Sequence, residues 1–168
     1  MNDTQVIFSN KRKYKGVNYR FSLLDTDDYT QFSPITQAYG FCYTEDGKLI
    51  IGKKPNGDIC MPGGTVERDE DPLDTLTREL DEEITAVVLD KKFIGIQKAE
   101  NMDTGEIVYQ LRFACLVRLE EMTPDPDYGE CWQRVFIEPN DFSNYLQWGE
   151  IGEHLVKKSK KWFDKNHE

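Results

Sequence analysis

Histidine is nearly absent from this chain. Only His154 and His167 occur in 168 residues, both near the C-terminal end. A Ser-His-Asp or Cys-His nucleophilic mechanism therefore has little support. Cysteine is sparse too: Cys42, Cys60, Cys115 and Cys131 are scattered, with no CxxC pair and no partner histidine, which argues against a zinc site. The first three fall in strand-like apolar runs and are expected to be reduced core residues. A GxxxxGK[ST] loop is missing, so this is not a P-loop enzyme. No apolar run is long enough for a signal peptide or a membrane span, and the expectation is a cytoplasmic protein without a membrane partner. Basic residues are outnumbered 21 to 31, for a net charge of −10. That balance argues against polymeric nucleic acid as a partner. A small anionic nucleotide remains compatible, provided metal ions bridge it to the protein.

What the chain has in excess is negative charge in one place. Residues 64–86 read GTVERDEDPLDTLTRELDEEITA, in which nine acidic residues are answered only by Arg68 and Arg78, a net of −7. Such a stretch is either a solvated face or a seat for cations. Asp71 suits a helix N-cap, Pro72 the first helical position and Asp74 the first turn. Leu73, Leu76, Leu80 and Ile84 then trace one apolar helical stripe. At about 100° per residue, Glu79 and Glu83 project side by side, with Glu82 on the same outward half and Asp81 pointing away. Like charges at that spacing cost roughly 0.2–0.5 kcal/mol per pair. Hard divalent cations such as Mg²⁺ want converging oxygen ligands, so the spacing favours the seat. Just upstream, Gly63 and Gly64 let backbone approach a ligand closely.

These residues resemble the Nudix box, G-x5-E-x7-R-E-U-x-E-E-x-G-U, where U is a bulky apolar residue. Gly64, Glu70, Arg78, Glu79, Leu80, Glu82 and Glu83 stand at the matching positions. Thr85 replaces the final Gly, and Ala86 is small for the last apolar position. Since that Gly usually ends the helix in a left-handed conformation, which a β-branched residue tolerates poorly, the helix exit is expected to differ. The resemblance implies an α/β fold, a Nudix-type α/β/α sandwich with a mixed β-sheet. It implies Mg²⁺ or Mn²⁺ held by Glu79, Glu82 and Glu83, with the Gly64 carbonyl as a further ligand, and in-line attack of water on a diphosphate. Glu83 is then the favoured base, with a carboxylate outside the box as rival, while Glu70 and Arg78 orient the cluster. Outside the box, Glu130 stands where family members often place a further metal ligand or base; a solvated loop carboxylate is the equal alternative. The substrate class is a nucleoside diphosphate linked to X: a nucleoside triphosphate, ADP-ribose or a nucleotide sugar. A non-catalytic Nudix-fold nucleotide sensor is the alternative, disfavoured by the complete carboxylate set.

The rest of the chain alternates strands and helices. Strands are expected at 5–8 and 17–21 around a basic turn at Lys11–Lys13, then at 35–43, 48–53, 58–61, 92–99, 106–119 and 132–137. Asn140 or Asp141 caps a short helix, and Trp148, Ile151, Leu155, Ser159 and Trp162 trace a C-terminal one. Residues 1–34 form an N-terminal β-extension before a Nudix domain at 35–168. Such an extension either builds a homodimer interface or packs on its own domain, and both stay open. Arg112, within an apolar strand, faces either a cleft, where it would contact phosphate or ribose, or water. Tyr39, Phe41, Tyr43 and Trp132 are candidates to stack a base, against a default role as core residues.

Overall fold

Two neighbouring strands, β3 (Ile35–Tyr43) and β8 (Ile107–Leu119), run parallel at the centre of one sheet. The computed structural model describes residues 4–167. Within them the sheet has nine strands, adding β1 (Val6–Tyr14), β2 (Val17–Leu24), β4 (Leu49–Lys53), β5 (Ile59–Cys60), β6 (Gly63–Thr65), β7 (Ala86–Asn101) and β9 (Gln133–Ile137). The main order is β1-β2-β7-β8-β3-β4-β5; β6 pairs with β3 and β9 with β4. Every pairing but β3–β8 is antiparallel, so the sheet is mixed.

Alternation along the strands feeds two cores. On one face Ala38, Cys42, Leu111, Phe113 and Cys115 meet Leu76, Leu80 and Ile84 of α1 (Pro72–Ile84). On the other, Phe41, Tyr43 and Ala114 meet α2 (Phe142–Tyr145) and Ile151, Leu155, Val156 and Phe163 of α3 (Gly149–Asn166). The result is the expected α/β/α sandwich. Phe41 and Tyr43 are wholly buried here, and the Tyr43 hydroxyl is hydrogen-bonded to Ser159 Oγ at 2.7 Å. They are core residues, not base-stacking ones. Trp132 is buried as well, with its indole N–H given to Asp125 Oδ2 at 2.7 Å.

The N-terminal hairpin departs from expectation. Its turn is Lys15-Gly16, not Lys11–Lys13, and both turn residues have positive φ, 49° and 80°. A two-residue hairpin loop of the favoured hand needs that conformation, and Gly16 supplies it cheaply. Lys11, Arg12 and Lys13 consequently lie within β1, an edge strand, where charge discourages pairing with other chains. β2 pairs with β7 from Tyr19↔Asn101 to Leu24↔Ile96, so the extension continues the same sheet. β7 itself begins immediately after α1, at Ala86.

The sheet forks beside β3. β3 and β4 share only two register pairs, Cys42↔Ile50 and Tyr43↔Leu49. Beyond them β6 takes the place beside the first half of β3, pairing Gly63 with Tyr39 and Gly64 with Ala38. Gly40 N–H donates to the Pro62 carbonyl at 2.9 Å, which ties the connecting turn into the fork. The Gly-Gly segment is thereby fixed between the sheet and α1.

Candidate active site

Asp71 Oδ1 accepts the Leu73 N–H at 2.8 Å and starts α1 as expected. Arg78 then gathers the acids. Its Nε and Nη2 donate to Glu70 at 2.8 and 3.0 Å, and its Nη1 to Glu79 at 3.1 Å and Glu82 at 3.3 Å. Thr75 Oγ1 donates to the same Glu70 carboxylate. Arg78, and then Thr75, pull Glu70 down to about 2. Glu70 is thus a fixed anion that positions Arg78.

Glu83 is not on the outward half of the helix. It is 3% exposed, because β6 covers that side of α1, and its Oε1 accepts the Gly63 N–H at 3.0 Å. Burial pushes its carboxyl up to about 9 against that hydrogen bond, and the Glu79 charge adds to the rise. Glu79 is raised by burial with Arg78 opposing, and Glu82 by burial again, Arg78 opposing and Asp127 and Asp125 adding. Three carboxyls on one helix are therefore short of positive charge, the condition an added cation relieves.

The two glycines allow close approach, Gly64 to the carboxylates and Gly63 to β3. A Cβ on Gly64 would stand 2.3 Å from Glu79 Oε1, and one on Gly63, at φ 139°, would stand 2.3 Å from the Ala38 carbonyl. Hard oxygen donors around a side-chain-free backbone fit Mg²⁺ or Mn²⁺. One oxygen from each of Glu82, Asp125 and Asp127 lies within 4.8 Å of the other two. Asp125 and Asp127 come from the loop that joins β8 to β9. Glu130 is solvent-exposed and outside this group, although its carbonyl accepts the Asp125 N–H at 3.0 Å and so closes the loop. The resemblance points to Glu130; the Trp132–Asp125 bond, which turns Asp125 inward, has no sequence signal. Glu67, Asp69 and Asp81 are exposed.

On the opposite face lies a cavity of about 560 Å³. Arg112 lines it and is 2% exposed, so it faces the cavity and not open water. Its guanidinium carbon sits 4.8 Å from the Tyr39 ring centroid and 5.1 Å from that of Trp148. Its Nη1 donates to Gln37 and the Leu111 carbonyl, its Nη2 to Gln97 and Gln110. No carboxylate is among these partners, and burial lowers Arg112 to about 10, with Tyr39 opposing. The cavity and the carboxylates are close. Gly63, Tyr39 and Arg112 are register neighbours on three adjacent strands, so Gly63 and Arg112 are two strand spacings apart, roughly 10 Å.

The NUDIX domain family model matches residues 35–162, more than three quarters of the chain. The chain belongs to the Nudix family. Membership carries the reaction class, hydrolysis of a phosphoric anhydride. No curated protein sequence matches. Among solved structures the fold is similar to the Bacillus subtilis pyrophosphohydrolase BsRppH, at 17% identity and TM-score 0.73, covering 93% of this chain and 98% of that one. It is also similar to a structure called an ADP compounds hydrolase (12%, TM-score 0.55, 98% and 96%) and to a MutT studied from Aliivibrio salmonicida and Vibrio cholerae (23%, TM-score 0.52, 77% and 98%). These likenesses concern the fold.

Within this Nudix chain the three glutamines around Arg112 went unread in the sequence. The available signal was polar alternation in otherwise apolar strands, Gln37-x-Tyr39 and Gln110-x-Arg112, which puts each pair on one face. Trp148 was placed in the stripe of α3 but precedes that helix and faces the cavity.

Proposed function

We propose that the chain hydrolyses the pyrophosphate bond of a nucleoside diphosphate linked to X, with Mg²⁺ or Mn²⁺. The observation that carries this is the buried Glu83 on the same helix as Glu79 and Glu82, with Arg78 tying the latter two to Glu70. Glu79, Glu82 and Glu83, with the Gly64 carbonyl, would hold the metal, and Asp125 and Asp127 would add carboxylates from the facing loop. When bound, the metal neutralises the diphosphate and lowers the pKa of the attacking water. Glu83, hydrogen-bonded to Gly63, is the base that receives the water proton. Arg78 and Glu70 keep the carboxylates in place without touching substrate. Tyr39 and Arg112, which line the adjoining cavity, receive the nucleoside half. The similar folds of a pyrophosphohydrolase and an ADP compounds hydrolase support this substrate class.

A panel of nucleoside triphosphates, ADP-ribose and nucleotide sugars, assayed with each metal for phosphate or pyrophosphate release, tests the proposal. Turnover of at least one class is expected, with Glu82→Gln lowering it by about 10³-fold or more, a loss of several kcal/mol in transition-state charge stabilisation. Silence across the panel, or a Glu82→Gln chain within tenfold of the parent, would remove the hydrolytic reading.

A further inference from the structure

Gln37, Gln110 and Gln97 stand in one register row across β3, β8 and β7: Gln37 pairs with Gln110, and Gln110 with Gln97. The next row on the same face is Tyr39, Arg112 and Gly95. Arg112 therefore projects beside three carboxamides on three strands. A guanidinium only donates hydrogen bonds. Each carboxamide must then turn its oxygen to Arg112, as the contacts at 3.0, 3.3 and 3.0 Å show for Gln37, Gln97 and Gln110. Their NH₂ groups are left pointing elsewhere, and among the described residues none has a protein partner. Arg112 Nε, by contrast, is buried without a partner, the one such side-chain atom among the described residues. All three glutamines line the cavity, together with aromatic Tyr39 and Trp148, and no Asp or Glu lines it. The polar floor is rich in donors and poor in acceptors, in a chain of net charge −10.

We propose that this cavity is a base-selecting subsite, in which Gln37, Gln97 and Gln110, locked by Arg112, favour nucleobases that present carbonyl and ring-nitrogen acceptors. Guanine, through O6 and N7, and hypoxanthine satisfy the floor. Adenine offers N6–H₂ where the floor also donates, and it pays for an unmatched pair of donors. The aromatic walls hold either base by its face and do not choose between them. The selection rests on the reading that the substrate is a nucleotide whose diphosphate meets the α1 carboxylates, roughly 10 Å away across two strand spacings.

The test separates selection from turnover. Calorimetric titration of the metal-free full-length chain with GMP, IMP and AMP should show the first two binding about tenfold tighter than AMP, the usual discrimination of a matched polar edge. Gln110→Leu should shrink the ratio. Gln110→Glu, which swaps the donor for acceptors and pairs with Arg112, should shift preference toward AMP. Among substrates that turn over, kcat/KM should rank in the same order. Equal binding of GMP and AMP, no binding by any of the three, or a ratio unmoved by either variant in a chain of unchanged melting temperature overturns the proposal. Selective GMP binding without hydrolysis of any nucleotide would defeat the hydrolase reading instead, and the subsite would stand.

Discussion

Arg78 and Arg112 are the same residue type in opposite surroundings. Arg78 is ringed by Glu67, Glu70, Glu79 and Glu82, all within 2.8–3.7 Å, and these acids raise its pKa. Arg112 has only amides, a carbonyl and two aromatic rings for company, and burial lowers it. The first holds an anionic cluster together while still leaving it short of cations. The second organises neutral dipoles so that they present donors. One side of the site thus gathers carboxylates whose charge an added cation would relieve, and the other presents donors beside aromatic rings. Net charge alone does not distinguish these roles; the identity of the partners does.

The sharpest way to break the comparison is pH. Glu83 rises from an ordinary 4.5 to about 9 in the folded, metal-free chain. Between those values the native state binds more protons than the unfolded one, so stability falls as pH rises. Chelated protein should lose on the order of a few kcal/mol from pH 5 to pH 9. Mn²⁺ should offset much of that loss, since metal takes the proton's place. Glu70 has the opposite sign. Its lowered carboxyl contributes stability above about 4.5, lost as pH falls toward 2. Urea titrations at several pH values, with and without Mn²⁺, check both. A metal-free profile that is flat from 5 to 9, or a Glu83→Gln chain with the same slope as the parent, would show that Glu83 is not the strained group.

Paired substitutions sharpen the contrast further. Arg78→Met removes the counter-charge of Glu70, Glu79 and Glu82 and should destabilise the metal-free chain by about 1–2 kcal/mol. Arg112→Met removes a buried cation that has no counter-ion. The amides it frees open onto the cavity and can take water, so stability should change by about 1 kcal/mol or less. The two should also differ in function: Arg78→Met lowers turnover on every substrate, whereas Arg112→Met chiefly erases base preference. Melting curves and a kcat/KM series over two bases decide. Equal destabilisation by both would mean that charge pairing does not set the two regions apart.

The two regions were unequally legible in the sequence. The α1 side was written locally: Asp71, Pro72, the Leu76–Leu80–Ile84 stripe and the spacing of the acids fix a helix and its carboxylates within one stretch. What local spacing could not show was the covering of Glu83 by β6, which depends on the sheet forking beside β3. The Arg112 side was almost unreadable, because its parts come from three strands. Gln37, Gln97 and Gln110 meet only through register, and no single segment encodes that row. Asp125 and Glu130 illustrate the same limit, since a tertiary hydrogen bond to Trp132 turns the first inward and leaves the second in solvent.

The exit of α1 tests how far the carboxylate region depends on backbone rather than charge. Thr85, in place of the family's Gly, was expected to alter this exit, yet it adopts the left-handed conformation all the same, φ 48° and ψ 53°. Such a conformation costs a non-glycine residue about 1–2 kcal/mol. Its neighbours compensate. Thr85 N–H donates to the Asp81 carbonyl at 3.0 Å, the Thr85 carbonyl accepts Glu120 N–H at 3.0 Å and Arg134 Nη2 at 3.1 Å, and its hydroxyl accepts Thr123 N–H at 3.1 Å. Only the last contact needs the side chain. Thr85→Val keeps the strain and leaves that N–H unmatched, and should cost about 1 kcal/mol. Thr85→Gly trades the same bond for relief of strain and should sit within about 1 kcal/mol of the parent in either direction. Because the backbone contacts survive in both, neither change should alter the pH slope assigned to Glu83. A Thr85→Val chain as stable as the parent would show that the hydroxyl does not hold this turn.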